Sequence, residues 1–427
     1  MRKYCLFIVF CWVTFAHALP HYELAYRLSG SGAVIMPDGK VDPWIERPVL
    51  GGHFAVEFLP TGRWHCLQQW NNASIGVGVS YLNLGNDAML GSAIAAYGYM
   101  NQPFYNGTHF RFGVRPTIGL AAVTKRYSNT YPGSTPYYDH TNANWSIGSI
   151  LNAYLAAELY MDFPIKDGWE ITLSGGWHHI SNGSVMHPNA GYNFFGGELG
   201  VRYQPSAVNY KKPEPDVPRK LYDGVDKPWA VEISATGGAK QNYYGDNRNG
   251  QKFFGAATVQ AAAYWVPVSI FRLGAGVDAF YDGYYACVSK EFASVPGNEG
   301  ATITYFGKTY LKESKTENCF RVGVSIQPEF IIGRLTAGLH VGFYVFDPVK
   351  NLEPYQEAKA ADQAGQPLNR GVFYTYDFTK ASNYQDGWCY MQFVLKYRVL
   401  DHLFVQLGLK THGVRAEFID AGLGIAF

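Results

Sequence analysis

Past its first eighteen residues the chain has no stretch approaching eighteen uninterrupted apolar residues, which excludes a helical membrane protein. Charge is scarce as well. Only 16% of the residues are charged and the net charge is +1, so there is no electrostatic case for a nucleic-acid partner. Cysteine is sparse: beyond residue 18 only Cys66, Cys287, Cys319 and Cys389 remain, and their spacing matches no metal motif. An oxidising compartment permits a disulfide, and Cys287 with Cys319, at the two ends of one long loop, is the expected pair. What the chain has in quantity is apolar and aromatic surface without long runs: 47% hydrophobic, 16% aromatic, 47 Gly and 32 Tyr. That balance suits a transmembrane β-barrel of an outer membrane, where apolar side chains face lipid and aromatic girdles mark the interfaces. A secreted all-β protein is the alternative.

The first eighteen residues, MRKYCLFIVFCWVTFAHA, join a basic start at Arg2 and Lys3 to an apolar run from Tyr4 to Phe15, with small residues at Ala16 and Ala18. They read as a secretory signal peptide cut after Ala18, since the run is too short to span a bilayer. Neither Cys5 nor Cys11 follows the small residue of a lipoprotein signal, so no lipid anchor is expected.

Alternation with period two then decides the class. Leu151, Ala153, Leu155, Ala157, Leu159, Met161 and Phe163 alternate with Asn152, Tyr154, Ala156, Glu158, Tyr160 and Asp162, which makes one face wholly apolar. The same dyad runs from His109 to Ala122, with Arg111, Arg115 and Thr117 turned inward, and from Phe320 to Ile332, with Arg321, Ser325, Gln327 and Glu329 inward. Eight strands are expected at about 22–34, 50–59, 73–83, 89–99, 109–123, 147–163, 168–181 and 194–203, and about eight more from Trp229 to the end. Between them lies a polar, proline-rich stretch containing KKPEPDVPRK. The expected organisation is a signal peptide (1–18), a first barrel unit (19–203), a linker (204–227) and a second barrel unit (228–427).

The halves resemble each other. FRFGV at Phe110–Val114 recurs as FRVGV at Phe320–Val324, and LGVRY at Leu199–Tyr203 as LGIAF at Leu423–Phe427. Eight plus eight strands could close as two small barrels or as one of about sixteen. Inward positions of the first half are small residues, tyrosines and the charges Arg111, Arg115, Glu158, Asp162, Glu198 and Arg202, a mix that fills an eight-stranded barrel and favours the tandem arrangement.

One stretch breaks the pattern. In WHHISNGSVMHPNAGYN, Trp177–Asn193, the odd residues continue the lipid face of Ile171, Leu173 and Gly175, yet they bring His179 and Ser181 onto it. Two polar groups turned toward lipid cost a few kcal/mol (roughly 2–4) unless they sit at the interface or have a use. Their Cβ atoms lie about 6.5–7 Å apart on one strand face, a gap an imidazole spans. A histidine in reach of a serine hydroxyl can generate a nucleophile for an ester, with a third group orienting the ring. Asn193 belongs to the outward set of the returning strand, and a hairpin placing Ser181 opposite Asn193 gathers all three. The alternative is a polar strand end at headgroup level. A metal site built on His178, His179 and His187 is disfavoured, because adjacent strand residues point to opposite faces.

The stretch H-I-S-N-G followed by P-N-A-G-Y-N resembles the signature of PagL-type lipid A 3-O-deacylases and the related bacterial acyloxyacyl hydrolases, with the likeness confined to the first half of the chain. The resemblance implies an eight-stranded outer-membrane barrel of a Gram-negative cell whose site faces the outer leaflet. It further implies His179 as general base, Ser181 as nucleophile, Asn182 with Gly183 at the oxyanion and substrate side, and removal of an ester-linked acyl chain from lipid A or another outer-leaflet glycolipid. No metal or cofactor is implied, and a homodimer is allowed. The chain departs from the pattern at Asn193, where the acidic member of the triad is expected. An amide oxygen can orient the ring but brings no charge to the imidazolium. The second half has LKTHGVRAEF as its nearest equivalent, with His412 inward and no serine at the required spacing, so that half is expected to be non-catalytic. Two other readings remain: a non-enzymatic structural or transport barrel, and an outer-membrane phospholipase.

Overall fold

The computed structural model describes residues 24–38, 41–60, 62–130, 143–205, 228–241, 253–284, 303–305, 308–310, 319–347, 389–413 and 415–427. The expected signal peptide, Cys287 of the expected disulfide and nearly all of the expected linker fall outside them. The chain divides into two compact units, each built on one closed barrel, and the single sixteen-stranded alternative is thereby excluded.

In the first unit the strands are β1 (Leu24–Ile35), β2 (Val49–Phe58), β3 (Ser74–Asn83), β4 (Ser92–Asn106), β5 (Arg111–Val123), β6 (Leu151–Lys166), β7 (Trp169–Ser181) and β8 (Tyr192–Tyr203). Each pairs antiparallel with the next, and β8 returns to β1 from Tyr26↔Tyr203 to Ile35↔Phe194. Closure removes every strand edge, the condition for backbone polar groups to survive in lipid. Burial alternates as the sequence dyad requires: Leu199 is 62% exposed and its neighbour Glu198 is 7%. Strand β4 runs seven residues past its expected end because Asn101 points into the barrel, where it bonds Glu57 at 2.9 Å and accepts from Arg115 at 2.7 Å.

The interior is a network of paired charges. Arg202 bonds Glu57 at 2.6 Å and Glu170 at 3.0 Å, Arg27 meets Glu198 at 3.3 Å, and Arg111 holds Asp162 and Glu170. Such pairs offset the desolvation of their partners, so losing one member leaves a buried charge exposed to a low dielectric. Toward the end where β7 leads into β8 the polar filling gives way to an apolar cluster that includes Ile35, Leu82, Leu84, Leu90, Ile147, Ile180, Tyr192 and Phe194. Because Ile180 and Tyr192 enter this plug, the residues flanking them point away from the barrel interior, with His179 and Asn193 half-buried and Ser181 buried.

The second unit closes in the order β9 (Trp229–Gln241), β10 (Phe253–Val268), β11 (Phe271–Asp282), β14 (Phe320–Ile332), β15 (Leu335–Phe346), β16 (Cys389–Arg398), β17 (Leu403–His412) and β18 (Arg415–Ala426), with β18 against β9. A separate two-stranded ribbon pairs β12 (Ile303–Tyr305) with β13 (Lys308–Tyr310). Its interior repeats the ionic scheme: Glu329 meets Arg272 at 2.5 Å and Lys396 at 2.8 Å, while Glu417 takes Arg321 and Lys410. The repeat motifs do not all mark equivalent strands. LGVRY and LGIAF both lie on the closing strand of their barrel, whereas FRFGV opens the fifth strand of one and FRVGV the fourth of the other, so that pair reflects shared alternation alone.

Candidate active site

Strand β7 is pinned at its start by a two-residue turn. Asp167 and Gly168 both have positive φ, +52° and +82°, the mirror-image turn that suits the twist of a hairpin. A Cβ on Gly168 would fall 2.1 Å from the carbonyl oxygen of Gln204. From there the register carries His179 opposite Leu155 and Ser181 opposite Ala153 on β6. On the other side His179 faces Asn193 of β8, and Ile180 faces Tyr192. The expected pairing of Ser181 with Asn193 is therefore corrected by two residues: Asn193 stands across from the imidazole itself, and Ser181 lies beyond the last β7–β8 pair. The tighter connection follows from the apolar plug, which takes Ile180 and Tyr192 as a facing pair.

The side chains meet in one line. His179 Nε2 lies 2.7 Å from Ser181 Oγ, and His179 Nδ1 lies 2.9 Å from Asn193 Oδ1. With the amide oxygen accepting from Nδ1–H, the lone pair of Nε2 is left to accept the serine proton, the tautomer a general base needs. His178 is excluded from this arrangement by strand geometry. It is buried inside the barrel, 3.0 Å from the Tyr154 hydroxyl and stacked on Phe194 at 5.1 Å. His187 is bonded to Ser184 at 2.8 Å within the loop after β7.

Asn182 and Gly183 form the turn after Ser181. The main-chain N–H of Asn182 donates to Asn189 Oδ1 at 3.0 Å, and its side chain clamps Met186, donating to the carbonyl at 2.9 Å and accepting from the N–H at 3.2 Å. Gly183 has φ +60°.

Three contributors went unnoticed in the sequence. Gly191, at φ +80°, backs the dyad: a Cβ there would come within 2.8 Å of His179 Cε1 and 3.2 Å of Ser181 Cβ, and its N–H donates to the Ser146 carbonyl at 2.8 Å. Asn189 organises the turn through Asn182. Both lie in P-N-A-G-Y-N, a stretch that carried the family resemblance without giving either residue a role. The third is Trp177, whose indole stacks on the His179 ring with centroids 5.5 Å apart and planes 14° from parallel. Its place two residues before His179 was visible, but its stacking was not.

Residues 54–202 match the family model described as lipid A 3-O-deacylase (PagL), and residues 229–359 and 367–427 match that described as acyloxyacyl hydrolase, C-terminal domain. The chain carries a PagL lipid A 3-O-deacylase domain followed by an acyloxyacyl hydrolase C-terminal domain, and both families are ester hydrolases. Among solved structures, the outer membrane enzyme PagL is similar at 13% identity, covering 41% of this chain and 97% of that one with a TM-score of 0.27. Neisserial surface protein A is similar at 10% identity, covering 42% and 96% with a TM-score of 0.25. A mutant porin of Rh. blastica is similar at 10% identity, covering 95% and 100% with a TM-score of 0.16. No curated protein matches the chain. The PagL match contains the whole dyad, together with Asn193 and Gly191.

The acyloxyacyl hydrolase C-terminal domain places its nearest candidate differently. His412 is buried, bonded to the Tyr344 hydroxyl at 2.7 Å and 3.3 Å from Glu417.

Proposed function

We propose that the chain is an outer-membrane lipid A deacylase in which Ser181 is the nucleophile, His179 the general base and Asn193 the residue that orients the ring. The observation that carries this is the pair of contacts at 2.7 and 2.9 Å on the outward face of a barrel strand. In the reaction Ser181 Oγ attacks the acyl carbonyl while its proton passes to His179 Nε2. The tetrahedral intermediate then collapses to an acyl-serine as the imidazolium protonates the leaving sugar oxygen. Water, deprotonated by the same imidazole, releases the fatty acid. Main-chain donors at Asn182 and Gly183 receive the developing oxyanion, and for the first of these the Asn189 amide must swing away from the N–H it now accepts.

The PagL match supports the substrate class, and the outward face supports the place of action. Beside the dyad that face carries Trp177 and Phe195, and further along the same two strands Leu173 and Leu199, a surface for acyl chains in the outer leaflet of a Gram-negative outer membrane. In the second unit the buried His412 supports a non-catalytic role.

The test is mass spectrometry of lipid A after incubation with the full-length protein in detergent, wild type against Ser181→Ala. Loss of one acyl chain with wild type only is the expected result, with the variant slower by about 10³-fold or more. Intact lipid A with both overturns the reading, and phospholipid cleavage in its place moves the substrate to phospholipids.

A further inference from the structure

We infer that Trp177 is a positioning residue that supplies, through the face of its indole, the charge support that a triad carboxylate would give. This rests on the esterase reading of the site. When Ser181 Oγ bonds to the ester carbon, the carbonyl π pair moves to oxygen and the serine proton moves to Nε2. The imidazole thereby gains a full positive charge in an apolar setting, where such a charge needs compensation. Asn193 can accept the Nδ1–H but holds no charge. The residues in register with His179 on the flanking strands are Leu155 and Asn193, neither of them ionisable, and the adjacent His178 points into the barrel. The side chains hydrogen-bonded to the ring, Asn193 and Ser181, are both uncharged.

The indole face answers this need. Trp177 shares the outward face with His179 because the two are separated by one residue on β7, and the rings lie nearly parallel at 5.5 Å, within the range of cation–π attraction. Tryptophan is the strongest aromatic partner for a cation, and the effect grows when water is excluded. A stack on neutral imidazole is weaker than one on imidazolium, so the contact favours the transition state over the ground state. The uncharged Asn193 and the tryptophan two residues before the base are thus parts of one arrangement.

The experiment uses the full-length protein in detergent with lipid A as substrate, comparing Trp177→Leu, which keeps apolar bulk, with Trp177→Phe, which keeps a ring face. Trp177→Leu is expected to lower kcat about tenfold with little change in KM, and Trp177→Phe to retain most of the rate. In an Asn193→Glu background the Leu change is expected to cost much less, because the carboxylate then carries the charge. Independently of turnover, histidine-labelled NMR should show the midpoint of the His179 titration moved in Trp177→Leu and unmoved in Trp177→Phe. Equal losses in the Leu and Phe variants, with the titration midpoint the same in both as in wild type, would overturn the proposal. An inactive wild type would sink the esterase reading alone, and the titration would still decide whether the indole acts on the imidazole.

Discussion

In the proposed reaction, Asn193 is the residue on which the rate turns. Its amide oxygen fixes the His179 tautomer at 2.9 Å but adds no charge. Asn193→Ala removes the orienting contact and is expected to lower kcat by about tenfold to a hundredfold. Asn193→Glu restores a carboxylate at a position already facing the ring and is expected to raise kcat. Both are read from initial rates of fatty-acid release, and an Ala variant as fast as wild type would remove Asn193 from the machinery. The dyad itself was legible in the sequence, because the two-residue spacing of His179 and Ser181 forces them onto one strand face. The contact with Asn193 was legible only as shared outwardness. Its place across from His179 depends on how far β8 slides along β7, and that is decided by Ile180 and Tyr192 entering the plug.

Strand β8 links the site to the barrel filling. It carries Asn193 outward at one end, and near the other it sends Arg202 inward to Glu57 and Glu170. Replacing Arg202 with Ala leaves those carboxylates short of a cation in the interior, at a cost of about 3–5 kcal/mol. The expected outcome is a lower thermal midpoint for loss of the compact, heat-resistant form in detergent electrophoresis. An unchanged midpoint would mean that the pairs contribute nothing net. Alternation alone made these residues inward at the sequence level, but alternation is silent on which acid meets which base. Arg27 pairs with Glu198 across the β1–β8 closure, a contact between residues 171 positions apart. The same limit explains β4, which continues past its expected end at about residue 99 and carries Asn101 inward to partners on other strands, Glu57 and Arg115.

For the molecule as a whole, two ladders each close on themselves, and among the described residues no β-ladder joins them. Arg272→Ala, which strips one cation from Glu232 and Glu329 in the second barrel, is expected to destabilise that barrel by a similar ~3–5 kcal/mol. Urea titration followed by limited proteolysis should show fragments of residues beyond 228 released at lower denaturant, with those of the first barrel unmoved. Simultaneous loss of both barrels at one midpoint would show that they unfold as a single cooperative unit.

The sequence by itself determined whatever local geometry controls. Successive Cβ atoms on a strand point to opposite faces, so the lipid-facing set, the inward charges and the outward histidine and serine follow from counting residues. The tertiary structure alone decided closure into two barrels, the pairing of interior ions, the seat of Asn193 opposite the imidazole and the indole stacked on it. Those features depend on strand register, loop packing and rotamers, each set by contacts between residues far apart in the chain, and no local periodicity encodes them.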